Sequence, residues 1–323
     1  MPGPGLSEQA ATPATSLGDS DLGFLSGVEA RVNDRLLDRL AESESSGFLR
    51  EPFSATFRYS LLGDEAKRIR PLIAYATALG LGTEPSEMGE IDDYAAVAME
   101  AYHTMSLIFD DLPAQDDSSE RRRKPTLHAA FDVATAELTA GLMTNWAGQL
   151  VSETDLRHGL DGDLSRYVGQ ALAGLALGQH KDLQLKGKPD SEVIPEELDE
   201  IAHLKTALAI EMCMVGIAMI KRSPPEVVQR LKRYAHHYGL AFQIKDDMLD
   251  PLKGVEGAGK TAGLDARNRR PTYISVVGVD GARERFEDNS ASAAKVLEDL
   301  SSDMDTTGLK NIVEFAGKRQ YHQ

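Results

Sequence analysis

The stretch VAMEAYHTMSLIF, residues 97–109, limits the folds open to this chain more than any other. Its apolar residues keep the 3.6-residue period of a helix, yet Glu100, His103, Ser106 and Asp110 share one face. A helix that turns a histidine and carboxylates inward is costly to bury unless something satisfies them. This one runs directly into Asp110, Asp111, Asp116 and Asp117, then Arg121, Arg122, Arg123 and Lys124. Hard oxygen ligands beside guanidinium groups suit a phosphate held through magnesium.

A second acidic stretch answers the first. In AFQIKDDMLD, Gln243, Asp246, Asp247 and Asp250 fall at offsets of three, four and seven, again one helical face. Asp246 and Asp250 can both point at one metal ion. Like charges so placed repel unless a cation lies between them.

The remaining pattern is helical as well. Phe24, Leu25, Val28, Val32, Leu36, Leu37 and Leu40 keep helical spacing. Further helices are expected over 86–112, 132–154 and 161–185, and over the stretches opening at Pro195 and after Pro224. Asp64 reads as an N-cap for the helix that carries Lys67 and Arg70. Residues 113–125 read as a loop after the break at Pro113. Gly174, Ala176 and Gly178 permit close approach of a neighbouring helix. The only β-branched run, ISVVGV at 274–279, is too short and solitary to build a sheet. The fold class is therefore all-α: one domain over 21–323, a bundle of roughly ten or more helices around a central cavity. Residues 1–20, rich in Gly, Pro, Ser, Thr and Ala, predict a disordered tail and neither a signal nor a transit peptide.

Charge and cysteine content narrow the partners. With 35 basic and 51 acidic residues the net charge is −16, which argues against nucleic acid or an anionic membrane surface. A polyanionic substrate must then be held by local basic groups and metal ions. The single cysteine, Cys213, rules out an internal disulfide and fits a cytoplasmic, reducing setting. No uninterrupted apolar run reaches the roughly 18 residues of a membrane span, so none is expected.

DDLPAQDD and DDMLD together resemble the two aspartate-rich motifs of the trans-isoprenyl diphosphate synthases, most closely the geranylgeranyl diphosphate synthases. The resemblance runs from about Lys67 to Glu284. It implies a magnesium-dependent, head-to-tail condensation of isopentenyl diphosphate with an allylic diphosphate, with no protein nucleophile. Asp110, Asp111 and Asp116, with Asp246, Asp247 and Asp250, would be ligands to the three magnesium ions that the family uses. EAKRIRP is similar to the family's GGKRIRP, so Lys67 and Arg70 would hold isopentenyl diphosphate together with His103. Glu65 and Ala66 stand where that motif has glycines. RRRKPT is similar to RRGKPT. Arg121 would then contact the allylic diphosphate and Arg122 the isopentenyl one, while Arg123 replaces a glycine. GQHKD resembles GQxxD and brings in Gln179 and Asp182. Lys205 and Thr206 resemble a KT pair. Lys205 would bind diphosphate, and Thr206 and Gln243 would steady an allylic cation, the three forming the candidate catalytic set. Lys260 and Asp265 match GKxxGxD, and Arg270 falls where lysine is usual; Lys260 and Arg270 would also bind diphosphate. Phe109, Leu142 and Lys245 depart from the family pattern without removing a metal ligand.

The growing chain would extend down between the helices, past Met105 and Ser106, one turn ahead of Asp110 and Asp111. In the family an aromatic there stops growth at fifteen carbons. Its absence here implies geranylgeranyl diphosphate. Farnesyl diphosphate is the alternative if Trp146 or Met143 closes the cavity. Two readings of other classes are a terpene cyclase and a non-catalytic partner subunit. DDMLD, with Lys67, Arg70 and His103, speaks against the first, and intact acid clusters against the second. The family is commonly a homodimer, which is the expected assembly.

Overall fold

The computed structural model describes residues 27–62, 66–253 and 270–317. The expected tail over 1–20, the Asp64 cap, and Glu65, Lys260 and Asp265 lie outside the described residues. Within them the chain is almost wholly helical. Twelve α-helices follow one another, and the only strands form a hairpin of two residues each.

The first helix, α1 (Val28–Ser45), buries Val28, Val32, Leu36 and Leu40, a stripe one residue in four. Leu37, counted into that stripe from the sequence, is instead exposed. Next come α2 (Phe53–Leu61) and α3 (Ile69–Gly80). The expected single helix over 86–112 is three pieces: a 3₁₀ turn (Pro85–Glu90), a π-helical segment (Asp93–Ala98), and α4 (Met99–Asp111). Asp92 and Asp93 explain the change of winding. Arg31 reaches Asp92 at 2.7 Å, and Arg35 and Arg157 reach Asp93 at 2.6 and 3.0 Å, so α1 and a later helix grip this segment.

Pro113 ends α4 as expected. The stretch read as loop contains a hairpin, β1 (Glu120–Arg121) against β2 (Lys124–Pro125). Its turn residues Arg122 and Arg123 both have left-handed backbones, φ 52° and 57°. Short α5 (Leu127–Ala130) leads to α6 (Val133–Arg157), whose first turn is capped by Asp132 accepting from the Thr135 amide at 2.8 Å. Then come α7 (Asp163–Leu185), α8 (Pro195–Ala202), a second π segment (His203–Ala207), α9 (Leu208–Ile220) and α10 (Pro225–Lys253). Finally α11 (Tyr273–Leu300), which absorbs most of the β-branched run, lies along α10, and α12 (Thr307–Gly317) packs on α3.

The core is centred on the first π segment, α4 and α9, where Ala95–Ala98, Cys213, Met214 and Ile217 are fully buried. The Tyr94 hydroxyl donates to the Met212 carbonyl at 2.6 Å and ties the two together. The stretch Pro195–Ile220 is long and apolar enough to cross a membrane by composition, but 67% of its apolar window is buried inside the fold. A core helix passes the same test.

Candidate active site

The second π segment is wedged between α7 and α10. A side-chain carbon on Gly178 would come within 2.6 Å of the Leu204 Cβ and 3.0 Å of the Lys205 nitrogen. One on Gly239 would lie 2.4 Å from the Ala207 Cα. Only glycine lets three helices approach this closely. The close approach expected at Gly174 and Gly178 is found there, whereas Ala176 is exposed. The wide turn presents Lys205 and Thr206 in opposite duties. The Lys205 ammonium pairs with Asp182 at 2.6 Å. The Thr206 hydroxyl donates to Gln243 Oε1 at 3.0 Å, and Gln243 Nε2 donates to Asp247 Oδ1 at 3.0 Å. The Tyr273 amide donates to the other Asp247 oxygen at 3.0 Å. The KT pair, the glutamine and the second acid cluster therefore form one connected array. Asp246 is half-buried on the same helix; the Asp250 side chain lies outside what is described.

The first acid cluster turns back on itself after Pro113. Six positions are about 600° of helix and would part Asp110 from Asp116. Instead the Asp116 amide donates to the Asp110 carbonyl at 2.9 Å, and the Ser118 amide to the Asp111 carbonyl at 3.2 Å. The bulge expected from Pro113 is thus present and returns Asp116 to the cluster. Burial pushes the Asp110 carboxyl above its ordinary range; Asp116 and Asp111 push the same way, against Lys205 and Arg121. Burial likewise raises Asp111 although Arg121 forms a fork with it, at 2.7 to 3.0 Å. Asp116 is buried and meets Arg270 at 2.7 Å, and the other Arg270 nitrogen is 3.5 Å from Asp182.

A second basic group gathers around His103, two turns before Asp110 on α4. Arg70, His103 and Arg122 act on one another there. Burial holds the His103 imidazole well below its usual value, with Arg70, Arg122, Arg121 and Arg68 pushing the same way. Burial also lowers Arg70 and Arg122. Among the described residues neither of these two guanidinium groups has a hydrogen-bond or ion-pair partner, and His103 Nδ1 is buried without one. Half-buried cations held together without partners are costly. Such a place is built for an anion. Lys67, expected in this group, is exposed at the start of the segment leading into α3.

Residues not singled out from the sequence complete the site. Arg68, between the two expected ligands, is buried and paired with Glu100 at 2.5 Å. Gln115, inside the first acidic loop, accepts from Gln179 Nε2 at 2.6 Å, and its carbonyl accepts from Lys186 at 2.9 Å. Glu100 stood on the inward stripe with His103, and that was the available signal. Nothing in the sequence marks Gln115.

The donor set fits magnesium. It is carboxylate oxygen throughout, and crowding among Asp110, Asp111 and Asp116 is what a divalent ion relieves. Among the described residues no three acidic, histidine or cysteine side chains enclose an ion by themselves. Magnesium does not require that, since it keeps waters and takes phosphate oxygens. Met105 and Ser106 are half-buried on α4, with the Ser106 hydroxyl donating to the His103 carbonyl at 2.8 Å. Trp146 is committed elsewhere: its indole donates to Ser43 Oγ at 2.9 Å and stands edge-on to Phe57, in the α1–α2 layer.

Residues 51–306 match the model of the polyprenyl synthetase family. The chain is 35% identical over 295 residues to the farnesyl diphosphate synthase of Haemophilus influenzae, covering 89% of this chain and 95% of that one. It is 37% identical over 279 residues to geranylgeranyl pyrophosphate synthase 6, mitochondrial, of Arabidopsis thaliana, covering 81% and 79%. The geranyltransferase of Helicobacter pylori, solved with magnesium and isoprenyl diphosphate, shares the fold with a TM-score of 0.76 at 23% identity, covering 94% of this chain and 100% of that one.

Proposed function

Because the chain belongs to the polyprenyl synthetase family, we propose that it joins isopentenyl diphosphate to an allylic diphosphate with geranylgeranyl diphosphate as the product. The observation that carries this reading is the division of charge along α4. Carboxylates gather at its C-terminal end with Lys205, Arg121 and Arg270. Two turns earlier Arg70 and Arg122, without hydrogen-bond or ion-pair partners among the described residues, gather with His103. Two diphosphates of different duty fit such a division; the single substrate of a cyclase leaves the second group without purpose.

Asp110, Asp111, Asp116, Asp246, Asp247 and Asp250 would hold magnesium, which supplies Lewis-acid withdrawal of charge from the allylic diphosphate. Arg121, Lys205 and Arg270 turn from their aspartate partners to the phosphate oxygens. Arg70, Arg122 and neutral His103, joined by Lys67, hold isopentenyl diphosphate so that its double bond faces the allylic carbon. The carbon–oxygen bond breaks with its electron pair leaving as pyrophosphate. The isopentenyl double bond donates its pair to the new carbon–carbon bond, and the cation this leaves passes a proton to the departing pyrophosphate. Thr206 and Gln243 present uncharged dipoles that steady positive charge without reacting with it.

The product assignment rests on Met105 and Ser106, which place no aromatic floor one turn from the aspartates. Trp146, turned into the α1–α2 layer, supports it too. Incubation with magnesium, isopentenyl diphosphate and farnesyl diphosphate, followed by product sizing, tests the reading. A twenty-carbon diphosphate is expected. A hydrocarbon from farnesyl diphosphate alone, or no turnover, would overturn it. We further infer a cytoplasmic homodimer, with the exposed Leu138 and Leu156 of α6 as apolar surface for a second copy; a monomer at micromolar concentration in light scattering would refute the assembly.

A further inference from the structure

We propose that the buried Arg68–Glu100 pair is the positioning device of the isopentenyl diphosphate pocket, setting where Arg70 and Arg122 converge before the ligand arrives. The inference rests on the function proposed above. Arg68 precedes α3 with a left-handed backbone, φ 46° and ψ 35°. A non-glycine residue is kept in that conformation only where its surroundings over-determine it. Here the side chain does so. Its nitrogens donate to Glu100 Oε1 at 2.5 Å, to the Leu61 carbonyl at 2.6 Å, and to Asn33 Oδ1 at 2.7 and 3.2 Å. Both members of the pair have side chains only 1% exposed. The sharp backbone leaves Lys67 exposed and starts α3 so that Arg70 is half-buried within one turn.

Glu100 gives Arg68 only one oxygen. The other, Oε2, is buried without a hydrogen-bond partner, as is Nδ1 of His103, three residues further along α4. A buried unsatisfied carboxylate oxygen is costly, and a purely structural pair would have no reason to keep one. Its charge acts favourably on both Arg70 and Arg122; Asp110 aids Arg70, while Arg68, Arg121 and Arg70 all repel Arg122. Glu100 is thus the counter-charge that lets these guanidinium groups stay close while no diphosphate is present. Without it, the ligand would have to assemble its own pocket, and affinity would fall by that cost.

Calorimetric titration with isopentenyl diphosphate, alongside steady-state kinetics, tests the proposal. Glu100→Gln should weaken isopentenyl diphosphate binding by about tenfold or more, while KM for the allylic substrate stays within about twofold. A lone buried charge can unfold a variant, so Arg68→Met with Glu100→Leu is the companion, leaving no unpaired charge. It should show the same selective weakening. Tight isopentenyl diphosphate binding by the folded double variant, or equal rises in both KM values, would overturn the proposal alone. No binding by the unaltered chain would overturn the functional reading and this inference with it.

Discussion

Arg270 and Asp116, 154 positions apart, meet at 2.7 Å with both side chains nearly buried. The contact ties the segment leading into α11 to the first acidic loop. In the reaction proposed above, Arg270 would exchange this partner for phosphate. Arg270→Ala should raise KM for the allylic diphosphate about tenfold or more, the loss of one charge-assisted hydrogen bond, and leave the isopentenyl KM within about twofold. Equal effects on both substrates in initial-rate assays would remove Arg270 from the allylic side.

Asp110→Ala and Asp246→Ala should each lower turnover on the order of a thousandfold or more, since each removes a ligand from a shared cluster. Asp110→Ala should not lower the melting temperature of the metal-free protein. Burial already disfavours the Asp110 charge, so its removal relieves the fold. Near-normal rates with magnesium in either variant would refute the metal assignment.

Met105→Tyr or Ser106→Phe should shift the main product from twenty to fifteen carbons. Both positions are half-buried on α4 ahead of the aspartates, and a ring there shortens the space beneath them. Chromatography of the dephosphorylated products reads the outcome. An unchanged distribution in both variants would place the floor elsewhere.

His103 predicts a pH dependence of stability. Its folded value lies below that of the unfolded chain, about 6.5, so the unfolded state binds a proton that the folded state refuses. Stability should therefore fall as pH drops through about 6.5, and His103→Asn should flatten that limb. His236, also lowered by burial, leaves part of it. Asp110 and Asp111, shifted upward, act in the opposite sense toward acid, so variant and parent must be compared over the same range. Identical melting profiles between pH values of about 7.5 and 5.5 would contradict a buried neutral histidine.

Arg123 has a left-handed backbone at the hairpin turn, φ 57°. Arg123→Gly should stabilise the protein by about 1 kcal/mol, visible as a rise of about 1–2 °C in melting temperature. A fall would mean that the arginine side chain contributes more than its backbone costs.

The helices were legible because their apolar residues repeat at 3.6 and because Pro113, Pro195 and Pro225 mark ends and starts. The two π segments were not. They differ from an α turn by one residue, and what fixes them is tertiary: the arginines on Asp92 and Asp93 for one, the cramped Gly178 and Gly239 for the other. The hairpin was missed because its strands have two residues and its turn has arginines where glycine is the usual signal. In the site, helical spacing joins Gln243 to Asp247 and the break at Pro113 returns Asp116 to Asp110, as found. Arg68 escaped notice because its partner Glu100 is 32 positions away, while Lys67 and Arg70 on either side of it drew the eye as ligands.

A π turn spends one residue more than an α turn over nearly the same advance, so His203–Ala207 amounts to a one-residue insertion within a rod running from Pro195 to Ile220. Losing a single codon there would restore the ordinary ladder and rotate α8 by about 100° against α9. Leu198, now buried, would swing toward water, and Lys205 would turn off Asp182. A deletion within this rod therefore demands a matching insertion in the same rod.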